Sequence, residues 1–302
     1  MRAVLQIQRL EKSYSMEKLY KVIGKTRQAY IQHRKRKEST TRLEQQLISL
    51  VKQTRENHPR MGSRVMYHTL RELGCWVPYG VTKFEELLSK RDLTVGTAKS
   101  RSPRTSDGLG KRNYENLTNG LTINNINQLI VGDITYFRVG IEWCYIFVLK
   151  DVYSQRVISM IPSQDMKAVN ALANLKELVS IRGESNLKGC IFHSDNGSQY
   201  DSLAFTTELN RLGIRISRSA TCSQNGSSEQ CNHIIKNMYL EHLGIRNYKD
   251  LVRSCKKVKH LLNTERTVHQ LGNISVDKFE KQISALKSNQ RPLKRLYDFS
   301  KE

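Results

Sequence analysis

The sequence predicts an α/β core on a mixed sheet in the order βββαβαβα, preceded by all-α helix-turn-helix modules. Two β-rich runs, LIVGDITYFR and EWCYIFVLK, are joined through Gly140 and followed closely by a third run. Such short connections give an antiparallel meander. Beyond it, stretches of helical apolar periodicity alternate with two more short apolar runs. The residues before 98 hold helical stripes only.

Residues 16–37 place Leu19, Val22 and Ile23 on one helical face, then Gly24, then a second helix carrying Arg27, Arg34, Lys35, Arg36 and Lys37. This is the layout of a helix-turn-helix, whose second helix enters the major groove, or of a helical hairpin with a solvated basic face. In 41–54, Leu43, Leu47, Leu50 and Val51 form one stripe of an amphipathic helix. Ser63 is placed to cap a helix through Val65, Met66, Leu70 and Leu73, ended by Gly74. Pro78 and Gly80 lead into a third helix through Val81, Phe84, Leu87 and Leu88. The expected organisation is a basic helical segment over 1–38, a helical DNA-binding module over 39–97, and a Ser-, Asn- and Arg-rich linker over 98–120.

A catalytic core over 121–245 comes next, and a basic helical tail over 246–302 closes the chain. Within the core, a helix over 168–181 follows the three strands. The strand CIFHS, a helix over about 202–212, the short strand at 214–216, a polar loop over 217–228 and a helix over about 228–242 complete the order. Three antiparallel strands continued by alternating helices and strands is the plan of the ribonuclease H-like fold.

Charge narrows the partner. Fifty Lys and Arg against 28 Asp and Glu leave +22 on 302 residues, an excess whose usual rationale is a polyanion. No segment approaches the roughly 18 uninterrupted apolar residues of a membrane span, and the N-terminus has no signal-peptide core. Nucleic acid is therefore expected over membrane, with a cytoplasmic, nucleoid-associated location. The six cysteines have no paired spacing and read as free thiols.

Three acids occupy special places. Asp133 shares a strand face with Leu129, Val131 and Thr135, where a carboxylate is costly unless paired, hydrogen-bonded or bound to a cation. Asp195 ends a later strand, opening onto a polar turn. Glu229 falls in the first turn of the helix after the polar loop, where the helix dipole favours an acid. If the first and fourth strands are neighbours, these carboxylates converge as metal ligands, most simply for two Mg2+ (or Mn2+) ions that serve phosphodiester chemistry. His193, Asn196 and Gln199 around Asp195, and Lys236 two turns beyond Glu229, are candidate DNA contacts. Arg60 and Arg64 in the helical module join the basic residues of the first segment as DNA-binding candidates.

The segments GDITY, HSDNGSQY and SSEQCNHIIKNMYL resemble the integrase-like DDE core of bacterial insertion-sequence transposases. HPRMGSRVMYHTLRE at 58–72 and LLNTERTVHQLGNISVDKF at 261–279 resemble the segments flanking that core. The nearest group is one whose two overlapping reading frames are joined by frameshifting, this chain resembling the second-frame product. The resemblance implies a metal-dependent DNA transposase that cleaves and joins strands at terminal inverted repeats through Asp133, Asp195 and Glu229. It also implies a homo-oligomer on element and target DNA, and the product of an upstream frame as a further partner. The loop SATCSQNGSS is shorter than the family's, and the Asn-Ala before its glutamate is absent. The alternative is a catalytically decayed or regulatory DNA-binding derivative.

Overall fold

The computed structural model describes residues 15–22, 24–96, 114–195, 197–219 and 225–299. Most of the expected linker, Asn196 and the middle of the polar loop, with Cys222, lie outside these residues.

A short helix, α1 (Met16–Val22), turns at Gly24, which takes φ +63°, into α2 (Arg27–Asn57). Thr26 caps α2 by accepting from the Ala29 N–H at 3.1 Å. The two segments expected on either side of residue 38 share this one helix, because nothing between 27 and 57 is Pro or Gly to break it. Residues 32–42 are exposed on every side, whereas Leu47 and Val51 are buried. With α3 (Ser63–Glu72) and α4 (Val81–Lys90), the second half of α2 encloses a core of Met66, Leu70, Phe84 and Leu88. The cap expected of Ser63 falls instead to Gly62, which makes no side-chain cap bond.

The core sheet holds β1 (Leu129–Val139), β2 (Glu142–Asp151), β3 (Val157–Ser163), β4 (Ile191–Ser194) and β5 (Arg215–Arg218), in the order β3-β2-β1-β4-β5. β1, β2 and β3 pair antiparallel, while β4 joins β1 and β5 in parallel. Helices α5 (Ala168–Arg182) and α6 (Leu203–Arg211) cover one face over Ile130, Phe147 and Phe192. The other face carries α7 (Gly226–His233), which continues as a π-helical segment (Ile234–Tyr239), and α8 (Tyr248–Thr264), enclosing Ile146, Val148, Ile235 and Val258. The mixed sheet and the βββαβαβα order are those expected.

Asp151, the last residue of β2, is fully buried and accepts from the N–H groups of Asn127, Tyr153 and Ser154 at 2.8, 2.9 and 3.1 Å. Arg182 approaches it to 3.5 Å and holds Glu280 of α9 (Val276–Ala285) at 2.7 Å. The C-terminal segment also grips the helical module. His58 bonds Tyr239 Oη at 2.8 Å and Glu265 at 3.1 Å, Thr69 bonds Thr267 at 3.2 Å, and Lys278 pairs with Glu72 at 2.9 Å. No helix of the described residues is long and apolar enough to cross a membrane.

Candidate active site

Neighbouring parallel strands bring two of the three acids together. Gly132 pairs with Ser194 at the end of the β1–β4 ladder, so Asp133 and Asp195 are the next residues on strands about 4.8 Å apart. Gly132 is required there: a Cβ on it would lie 2.7 Å from Phe192 Cζ and 3.1 Å from Leu149 Cδ2. Asp133 projects from the opposite face, toward α7. Its Oδ1 accepts from the Ile134 N–H at 2.9 Å, and its Oδ2 from the Asn232 side-chain amide at 2.8 Å. Burial, and next the Asp195 carboxylate, push the Asp133 carboxyl up to about 7, with the charge of Glu229 adding to the effect.

Asp195 is half-buried and accepts from the Gly197 N–H at 3.2 Å. Burial raises its pKa, while the backbone bond and the Arg218 guanidinium oppose the rise. A Cβ on Gly197 would sit 3.1 Å from both Asp195 Oδ1 and Gln199 Oε1, so the turn closes tightly around these two side chains.

Glu229 lies in the first turn of α7, as expected, but on its exposed side. Asn232, one turn further on, faces inward and takes the place against Asp133. Among the described residues no three His, Cys, Asp or Glu side chains gather closely enough to hold a metal ion. The sheet thus brings the two candidate strand acids together, while Glu229, whose charge reaches Asp133, stays on the exposed side of α7. Two mutually repelling, partly buried carboxylates with oriented lone pairs are the donor set that suits a hard divalent cation.

The other candidates separate by exposure. His193 is 1% exposed, and its Nδ1 lies 2.8 Å from the Ser217 hydroxyl. Its ring ties β4 to β5 inside the sheet, which removes it as a DNA contact. Gln199 is half-buried beside Asp195, and Asn196 lies outside the described residues. Lys236 is half-buried in the π-helical segment. Arg27, Arg34, Lys35 and Arg36 are exposed along α2, with Arg34 3.4 Å from Glu38. Arg64 makes a two-pronged bond to Glu85 at 3.0 and 3.2 Å, and Arg60 donates to the Gly96 carbonyl at 2.6 Å.

Several site residues escape sequence reasoning. Arg218 is 2% exposed, bonds Asp201 at 3.0 Å and the Tyr200 carbonyl at 2.7 Å, and so pins the turn that follows Asp195. Lys150, also buried, places its ammonium 3.3 Å from both the carbonyl and the hydroxyl of Ser227, holding the start of α7. Tyr200 is fully buried, and Asp133 and Asp195 help burial raise its phenol well above the usual range. Asn232, three residues after Glu229 on α7, likewise carries no signal in the sequence that sets it apart.

Residues 124–223 match the family described as the integrase core domain. The matched stretch holds Asp133 and Asp195, and the core around it has the ribonuclease H-like α/β fold. The likeness to insertion-sequence proteins runs over a longer stretch than that match. The chain is 28% identical over 152 residues to the Insertion element IS600 uncharacterized 31 kDa protein of Shigella sonnei, covering 49% of this chain and 55% of that protein. It is 29% identical over 180 residues to Transposase InsF for insertion sequence IS3A of Escherichia coli K12, covering 59% and 61%. The chain thus spans less than two thirds of the length of these relatives. Among solved structures, the HTLV-2 integrase catalytic core domain in complex with magnesium aligns at TM-score 0.43 and 19% identity, covering 52% of this chain and 97% of that one. A simian T-cell lymphotropic virus intasome chain aligns at TM-score 0.47 and 16% identity, covering 79% and 75%.

Proposed function

We propose that the chain is a DNA transposase that cleaves and joins strands at the terminal inverted repeats of a mobile element. The observation that carries this reading is the Asp133–Asp195 pair, set side by side by β1 and β4 with Asp133 held near neutrality. Asp133 and Asp195 would hold Mg2+ or Mn2+, with Glu229 completing the set from the rim. Two such ions supply activation of the attacking oxygen and charge stabilisation for the departing one. The protein's own part is positional. Asn232 fixes Asp133 Oδ2, the Gly197 N–H fixes Asp195 Oδ1, and Lys150 sets the α7 turn that presents Glu229.

The exposed cations of α2 supply the first DNA surface, in a helix-turn-helix reading of 1–38, and the module of 39–97 a second. Homo-oligomerisation on DNA belongs to the same reading, whereas an upstream-frame partner is carried by the family resemblance alone. The regulatory alternative is not favoured, because all three acids are present. Full-length protein, Mg2+ and a labelled inverted-repeat end should give nicked and joined products. Asp195→Asn should lower the rate on the order of a thousandfold, the equivalent of about 4 kcal/mol. Equal rates for wild type and Asp195→Asn would overturn the assignment.

A further inference from the structure

The exposed face of α8 has no role in the site described above. Lys249, Arg253, Lys256, Lys257 and His260 are all exposed on it. At 100° per residue they fall within an arc of about 100°, opposite the buried Leu251, Cys255, Val258 and Leu262. Arg246 extends the row just before the helix. A merely solvated helix face usually alternates charges, because opposite pairs at i, i+4 stabilise a helix and like pairs destabilise it. Here Lys249/Arg253 and Arg253/Lys257 are like pairs at that spacing. Asp250 lies 3.7 Å from Arg253, and among the described residues Lys249, Lys256 and Lys257 form no ion pair. Lys259, off this arc, is the lysine of α8 that is neutralised, by Glu177 of α5.

The row runs about 16 Å along the helix, the rise of four to five successive phosphates of one DNA strand. It belongs to the layer that carries Glu229, since α8 packs with Cys231, Ile235 and Tyr239 over the same sheet face. We propose that this face of α8 is a further duplex-DNA surface, separate from α2, that holds the phosphate backbone of DNA engaged by the integrase core. The partner is identified by charge alone, so the contact is independent of base sequence. This inference rests on the transposase reading.

The test uses the full chain, a fluorescein-labelled duplex of generic sequence, and anisotropy titrations across a salt series. The variant combines Lys249→Gln, Arg253→Gln, Lys256→Gln and Lys257→Gln. Affinity near 0.15 M salt should fall on the order of tenfold or more, and the log–log salt slope should shrink by about 0.9 for each phosphate no longer neutralised. Lysine-to-arginine changes at 249, 256 and 257 should retain the wild-type slope. A single Lys257→Gln, expected to lower the slope by about 1, decides the matter should the fourfold variant fail to fold. Slope and affinity within twofold of wild type, in folded protein, would overturn the proposal. Loss of poly-glutamate binding with duplex binding retained would assign the face to an acidic protein and overturn it equally. No duplex binding by the wild type would instead sink the transposase reading on which it rests.

Discussion

Asp133 answers to two opposing demands, since burial favours its protonated form and metal chemistry requires its ionised one. Its folded pKa is raised, so protonation stabilises the fold: that contribution is present below the carboxyl's ordinary value of 3.8 and is lost as pH rises through about 7. In chelator, Asp133→Asn removes the group that must ionise. The Tm of the variant minus that of the wild type should therefore grow as pH rises from about 4 to about 7, and calorimetry at several pH values checks it. Metal affinity should move the opposite way, increasing across the same range as the proton is shed; calorimetric Mg2+ titration reads this directly. Asn232→Ala leaves the Asp133 geometry to chance, and should cut cleavage about tenfold or more with metal binding weakened and the fold intact. The sequence exposed Asp133 and Asp195 because an acid within or just after an apolar strand is anomalous. It hid Asn232 and Arg218, since an asparagine on a helix or an arginine at a strand end is ordinary until the partner across 99 or 17 residues is known.

At the scale of elements, Gly132 lets β1 and β4 approach under the Phe192 ring, and its backbone is extended, so the argument is one of space. Gly132→Ala should cost about 1–3 kcal/mol, as overpacking does, and Phe192→Leu should recover part of the loss in denaturant melts. Strand and helix order was legible because apolar period changes from alternating to helical at each junction. Helix limits were less so. Nothing in IIKNMY signals a π turn, and the polar stretch at 32–42 looks like a boundary although it lacks any breaker. Where no core residue calls for an end and no Gly or Pro forces one, a helix simply continues.

Across the whole molecule, the C-terminal segment ties the helical module to the core through contacts no sequence pattern announces. His58 is fully buried between Tyr239 and Glu265, and burial lowers its pKa even though Glu265 pulls it up; Arg266 and Lys257 push the same way as burial. A lowered histidine pKa gives stability that is present above the ordinary value of 6.5 and is lost as pH falls through the folded value. The module should therefore loosen on mild acidification. Protease susceptibility near residue 58 should rise below about pH 6.5, and His58→Gln should flatten that dependence. Arg182→Met, which leaves Asp151 buried without its cation while Arg156 still holds Glu280, should destabilise by about 3–5 kcal/mol. The single helix α2 passes from such a packed environment into open solvent within its own length. Its amides should accordingly exchange with deuterium in two regimes: those around 32–42 by local opening at little free energy, and those around Leu47 and Val51 only when the module as a whole unfolds.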